Sequence, residues 1–151
     1  MPWERKVSIK TEDELKLMRI AGRINAEALA AAKDLIRPGI CTADLNAAVE
    51  EVHRKYGVYS PFKNYPGPYP YPASINTSIN NELVHGIPGK RKLVKGDIIS
   101  IDCGTVYEGY VGDSAFTAPV GEVSPEAEFL MKVTEQALYV GISKMLPNNS
   151  L

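Results

Sequence analysis

The chain opens its patterned region with apolar residues at helical spacing. Leu15, Met18, Gly22 and Leu29 form one row and Ile20, Ile24, Ala28, Ala31 and Leu35 a second, so together they make a wide apolar face. Thr11-Glu12-Asp13-Glu14 precedes them as a capping-box pattern, with Glu14 at the third helical position. The spacing predicts a helix over Thr11–Ile36, ended by Arg37-Pro38-Gly39, because proline cannot extend the hydrogen-bond ladder and glycine relaxes the backbone. A second helix is predicted from a Thr42 cap to Gly57, with Leu45, Ala48, Val49, Val52 and Tyr56 facing inward. His53 lies within the charged run Glu50-Glu51-Val52-His53-Arg54-Lys55 and reads as a surface or boundary side chain.

The pattern then changes. SPFKNYPGPYPYP, Ser60 to Pro72, holds five prolines and four aromatics and cannot form a regular helix or a central strand. It suits a structural loop, a stiff linker or a tyrosine-walled pocket equally well. Short strands are predicted at Ala73–Ile79 and Glu82–Ile87. A hairpin follows: Asp97 to Val106 runs out, Tyr107-Glu108-Gly109 turns, and Tyr110 to Ala118 returns. Ser124-Pro125-Glu126 then starts a helix to Met145, by an N-cap, a proline at the first position and acid in the first turn. Its expected buried side carries Phe129, Leu130, Val133, Ala137, Val140 and Gly141. The order helix, helix, strands, hairpin, helix predicts an α+β fold, with an antiparallel sheet covered on one face by helices and residues 1–151 forming a single domain.

Composition narrows the function. With 17 Lys+Arg against 18 Asp+Glu, the net charge is -1, so no broad basic field exists to hold nucleic acid. The short basic run GKRKLVK, Gly89 to Lys95, reads as a solvated loop. The opening MPWERKVSIKTEDE lacks the apolar run of a signal peptide, and no stretch approaches the about 20 apolar residues that span a bilayer. A cytoplasmic location and no membrane partner are therefore expected. Cys41 and Cys103 fit no paired metal or disulfide spacing.

Asp102 and Asp113 carry the sharpest chemical signal. In an antiparallel hairpin, residues eleven apart share a face when the loop is even and no bulge intervenes. Ile98 and Ser100 point with Asp102, whereas Ile99 and Ile101 point the other way, so the strand around Asp102 is largely apolar. Two carboxylates placed together there need a cation, a shared proton or water. A hard or borderline divalent metal supplies the charge, but a wet hairpin face with glycines shaping the turn accounts for the same spacing. Asp97, beside Gly96, belongs to the turn entering the strand. His85, in LVHGIP, sits where a glycine and a proline turn the chain sharply; its imidazole suits metal ligation, proton transfer, oxyanion contact or a structural role.

Taken together, SINNELVHGIPG, KGDIISIDCG and YEGYVGDSAFTAPVG, in that order, resemble the type I, bacterial-type methionine aminopeptidases, a family of pita-bread metallopeptidases. The resemblance implies the first half or more of that fold. It implies that Asp102 and Asp113 are ligands of a two-metal site taking cobalt, manganese, iron or zinc. It implies that His85 is not a ligand but contacts the substrate during hydrolysis. It also makes Tyr71 and Asn76 substrate-binding residues, with Asn76 standing where the family commonly has a pocket cysteine.

The expected substrates are N-terminal methionyl peptides of nascent chains. The family draws one further histidine and two glutamates from its later half, including a GHGIG segment, and this sequence has neither that segment nor a third histidine. Weak or partial metal binding and weak or no activity are expected of the chain alone, with a missing C-terminal half or a second copy as its partner. A truncated homologue acting as a binding or scaffold module, and an Xaa-Pro-type peptidase, are the competing readings.

Overall fold

The computed structural model describes residues 8–150, so the first half of the opening segment read for a targeting signal lies outside them. Helix α1 spans Glu12–Asp34. Its capping box forms as the sequence predicts: the Thr11 hydroxyl accepts from Glu14 N at 3.3 Å, and the Glu14 carboxylate accepts from Thr11 N at 2.7 Å. Helix α2 spans Thr42–Tyr56 and ends at Gly57, whose φ of 66° is the left-handed conformation glycine takes at no steric cost. The expected Thr42 cap is displaced by one residue: Cys41 is the N-cap, and its N–H donates to the Asp44 carboxylate. Thr42 Oγ1 is committed elsewhere, accepting from Gly89 N at 2.8 Å and donating to Gly89 O at 3.1 Å. Tyr56 is exposed rather than inward, because its hydroxyl reaches out to Glu27 on α1.

Three strands, β1 Ile75–Ile79, β2 Ile98–Tyr107 and β3 Tyr110–Pro119, form an antiparallel sheet in the order β1-β2-β3. Helices α1 and α2 cover one face, and Ile24, Ala28, Leu45, Val49, Ile75, Ile79, Ile99, Ile101 and Cys103 pack between the layers. Full burial of each large aliphatic side chain stabilises the fold by about 1.5–3 kcal/mol. The predicted α+β class, with an antiparallel sheet packed on helices, is what the structure has.

Gly112 sits where β3 crosses α1. A Cβ there would stand 2.6 Å from Gly22 N and 2.7 Å from Ala21 C, so Gly112 permits a close approach and does not merely shape a turn. A Cβ on Gly22 would meet nothing within 4 Å. The two alanine substitutions should therefore have opposite signs. Gly112→Ala should destabilise by about 1–3 kcal/mol, because backbone must move, and Gly22→Ala should stabilise by about 0.5–1 kcal/mol through helix propensity. Urea melts of the two variants check this.

Three further sequence expectations fail. Glu82–Ile87 is not a strand; it is an irregular segment joined to β1 through Thr77 N donating to Gly86 O at 2.8 Å. Helix α3, Pro125–Lys144, has the predicted Ser124 cap and N-terminal proline but buries no residue. Phe129 is 69% and Leu130 57% exposed, because among the described residues no layer covers that side. His53, finally, is buried at 4% exposure rather than at the surface.

His53 belongs to a polar chain crossing the core. Asn25 Nδ2 donates to Ser114 Oγ at 2.8 Å, Thr105 Oγ1 donates to Asn25 Oδ1 at 2.9 Å, and His53 Nε2 lies 2.9 Å from Thr105 Oγ1. Since the Thr105 proton is already given to Asn25, His53 Nε2 must carry the hydrogen. Burial lowers the His53 pKa below its ordinary 6.5, with the Glu50 charge opposing as the smaller effect.

The folded state thus binds this proton less readily than the unfolded chain. The contribution of neutral His53 is complete above pH 6.5 and is lost as pH falls through the window below it. Chemical unfolding at descending pH should show the loss, at most about 1.4 kcal/mol per pH unit from one group.

Candidate metal centre

The hairpin turn decides the register of the aspartates. Glu108 and Gly109 have φ of 48° and 80°, the two positive values of a two-residue type I′ turn whose twist matches the flanking strands. The loop is even and the ladder runs from Tyr107↔Tyr110 to Ile98↔Pro119 without a bulge. Gly104 is therefore directly opposite Asp113, and Asp102 is opposite Ala115. Asp102 and Asp113 share the face away from α1 and α2 as diagonal neighbours, as the sequence spacing predicts. Ile99, Ile101 and Cys103, buried at 0% exposure, turn to the other face.

The electrostatics of the pair follow. The Asp113 carboxyl is held above its ordinary 3.8, first by burial and then by the charge of Asp102 and a hydrogen bond with it. A carboxyl whose ionisation is made costlier by a neighbouring acid in this way is suited to a cation that neutralises both. Oxygen donors suit a hard or borderline divalent ion. Among the described residues no group of three or more His, Cys, Asp and Glu side chains could hold a metal, so this chain offers a pair of carboxylates and not a full ligand shell.

Asn76 and Tyr71 lie beside this pair by different routes, and His85 is held at the edge of β1. Asn76 is the cross-strand partner of Asp102, and its Nδ2 donates to Asp102 Oδ2 at 3.1 Å. Tyr71 folds back over β1, its hydroxyl 3.0 Å from Ile75 O and 3.2 Å from Gly86 O. Burial, and next the nearby Asp102 charge, push the Tyr71 pKa up to about 12, so it remains a neutral donor. His85 is exposed, at φ 60°, and is placed through the backbone bonds of the adjacent Gly86 to Thr77 and Ser78.

Sequence reasoning missed Gly104. A Cβ there would come within 2.8 Å of Pro61 and 3.1 Å of Phe62, so the proline-rich loop lies against the sheet beside Asp113. A glycine inside a strand was the available signal. The loop closes on itself through Asn64 N to Tyr71 O at 2.8 Å and Tyr71 N to Tyr65 O at 3.1 Å, which favours the pocket-wall reading over a linker. A separate cleft lined by Glu50, His53, Tyr59, Lys63 and Ser74 contains none of these site residues.

A helix-backed hairpin presenting two carboxylates on the face away from its helices is an arrangement shared with known metallopeptidases, as comparison with known proteins shows. Residues 16–151 match the metallopeptidase family M24, and the chain belongs to that family. Membership implies a binuclear metal site in the full-length enzymes.

The chain is 44% identical over 146 residues to a methionine aminopeptidase of Clostridium acetobutylicum, covering 96% of this chain and 57% of that protein. It superposes on the crystal structure of the Thermotoga maritima methionine aminopeptidase with a TM-score of 0.86 and 39% identity, over 93% of this chain and 55% of the other. An Xaa-Pro dipeptidase from Bacillus anthracis matches less well, with a TM-score of 0.65 and 26% identity over 80% of this chain and 32% of the other. Sequence and fold thus match the N-terminal portion of the type I methionine aminopeptidases, with their pita-bread fold. The chain spans 57% of the length of the first of these relatives. Among the described residues no helix is long and apolar enough to cross a membrane.

Proposed function

We propose that this chain is the carboxylate-bearing portion of a cytoplasmic metalloaminopeptidase that removes N-terminal methionine from nascent proteins. The observation that carries the reading is the diagonal pairing of Asp102 and Asp113 on the open face of one hairpin. In this reading both are metal ligands, and the divalent ion, whether cobalt, manganese, iron or zinc, supplies an activated water and polarises the scissile carbonyl when bound. Asp102 and Asp113 hold the charge in place. His85 contacts the peptide and donates to the oxygen on which charge develops. Tyr71 and Asn76 wall the space for the first side chain, with the neutral Tyr71 hydroxyl tied to backbone so that its ring keeps one orientation.

Residues 1–151 form a single domain that is an incomplete portion of a larger one, and the remaining metal ligands come from a C-terminal portion. The exposed apolar side of α3 supports this reading, since a further layer would cover Phe129, Leu130 and Val140. The same surface also favours a second reading, a non-catalytic module that uses this face to bind a partner. The poorer match to the Xaa-Pro dipeptidase argues against that enzyme class.

The test measures hydrolysis of methionyl tripeptides with manganese or cobalt, for this chain alone and with the later portion of a relative added in trans. The chain alone should be inactive or nearly so, and activity should appear on complementation. Full activity of the short chain would overturn the incomplete-site reading, and no activity in the complemented form would favour the binding module.

A further inference from the structure

We propose that Asn76 is a positioning residue for the metal pair: its side-chain amide holds Oδ2 of Asp102 and fixes the rotation of that carboxylate. The inference rests on the assignment of Asp102 and Asp113 as ligands and adds a residue that acts through one of them.

Three observations carry it. Asn76 and Asp102 are direct register partners across β1 and β2, so the contact is built into the ladder and does not depend on a loop. Asn76 is only 7% exposed, and a buried amide donor is retained where an acceptor meets it; Asp102 Oδ2 does so at 3.1 Å. The backbone on both sides of Asn76 is also clamped: Ile75 O accepts from the Tyr71 hydroxyl at 3.0 Å, and Thr77 N donates to Gly86 O at 2.8 Å.

A donor held this way gives a charge-assisted bond that fixes the rotation of the carboxylate. Partners of this kind, which touch a ligand and not the ion, typically tune metal affinity by about 10–100-fold. A side chain of similar size without a donor, such as leucine, would fill the position and leave Asp102 free to turn.

The experiment is a calorimetric titration with Mn²⁺ of the chain complemented in trans by the later portion of a relative, for the parent sequence and for Asn76→Leu and Asn76→Ala. The smaller variant guards against a packing clash in the larger one. Both variants should bind Mn²⁺ about 10–100-fold more weakly at a temperature where each remains folded. Cobalt(II) adds a readout that a purely structural role would not move, because its visible bands report ligand geometry and should shift in both variants.

Parent and variants binding Mn²⁺ equally, with unchanged cobalt bands, would overturn the positioning role and leave the metal reading standing. A complemented parent that takes up no Mn²⁺ even in large excess would overturn the metal reading, and this inference with it.

Discussion

Replacing Asp102 by asparagine is expected to stabilise the metal-free chain at neutral pH and to abolish metal capture. The Asp113 carboxyl is held above its ordinary 3.8, so the folded state keeps that proton more readily than the unfolded chain does. The sign follows by linkage: this group favours folding most below pH 3.8, and the advantage is lost as pH rises through the folded-state value. The charge of Asp102 is among the causes that raise Asp113, so its removal relieves the folded state at pH 7. The partial desolvation of the exposed Asp113 would remain in the variant, but the contribution of the Asp102 charge would go.

For two partly solvated carboxylates the relief is about 0.5–1 kcal/mol, a rise in melting temperature of roughly 1–4 °C. Asparagine keeps the shape and an acceptor for Asn76, so the ladder survives. Melting curves at pH 7 and near pH 3 test the claim: the gain should be present at the first and vanish at the second. In the complemented form the same substitution should remove manganese-dependent hydrolysis. A variant that melted earlier at pH 7, or that kept metal-dependent turnover, would be incompatible with a repulsive ligand pair.

Gly86→Ala should have the second large effect. A Cβ at Gly86 would lie 2.1 Å from Thr77 O and 2.8 Å from Thr77 C, both backbone atoms at the edge of β1. Relief requires the 82–88 segment to leave the strand. It would surrender the Thr77 N to Gly86 O bond at 2.8 Å, the Gly86 N to Ser78 Oγ bond at 3.2 Å and the Tyr71 hydroxyl contact at 3.2 Å.

At about 0.5–1.5 kcal/mol net for each, the expected loss is about 2–3 kcal/mol, or roughly 4–10 °C. Gly89→Ala is the internal control, since the nearest atom to a Cβ there is Ile87 O at an ordinary 3.9 Å. Calorimetric scans of both variants would separate the steric cause from a general effect of alanine. Because Gly86 adjoins His85, its substitution should also lower turnover in the complemented form, where Gly89→Ala should not.

These positions differ in how far the sequence announced them. Thr11 and Glu14 are close along the chain and form a local motif, so the cap of α1 could be read directly. The same holds for Asp102 and Asp113, whose shared face follows from an even turn and the two-residue period of strands. Cys41 replaced Thr42 as the cap because Thr42 Oγ1 found both a donor and an acceptor in Gly89, a residue far away in sequence.

The Asn25–Thr105–His53 chain was unreadable for the same reason. Its members come from α1, β2 and α2, and each alone sits among charged or small neighbours that suggest a surface. Glu82–Ile87 has the apolar residues of a strand, yet Gly86 docks edge-on to β1 where strand pairing was expected. Helix α3 was read as half-buried from a correct apolar pattern, but periodicity records which side could be covered, not whether a covering layer is present.

The short reach of the β2–β3 connection has a kinetic consequence. Closing a loop of this size costs little chain entropy, and hairpins of this kind zip within microseconds. The two acids can therefore meet early in folding, ahead of the slower docking of α1 and α2. Under the proposed metal reading, ion capture by the ribbon would stay weak and reversible until the further ligands of a C-terminal portion join it.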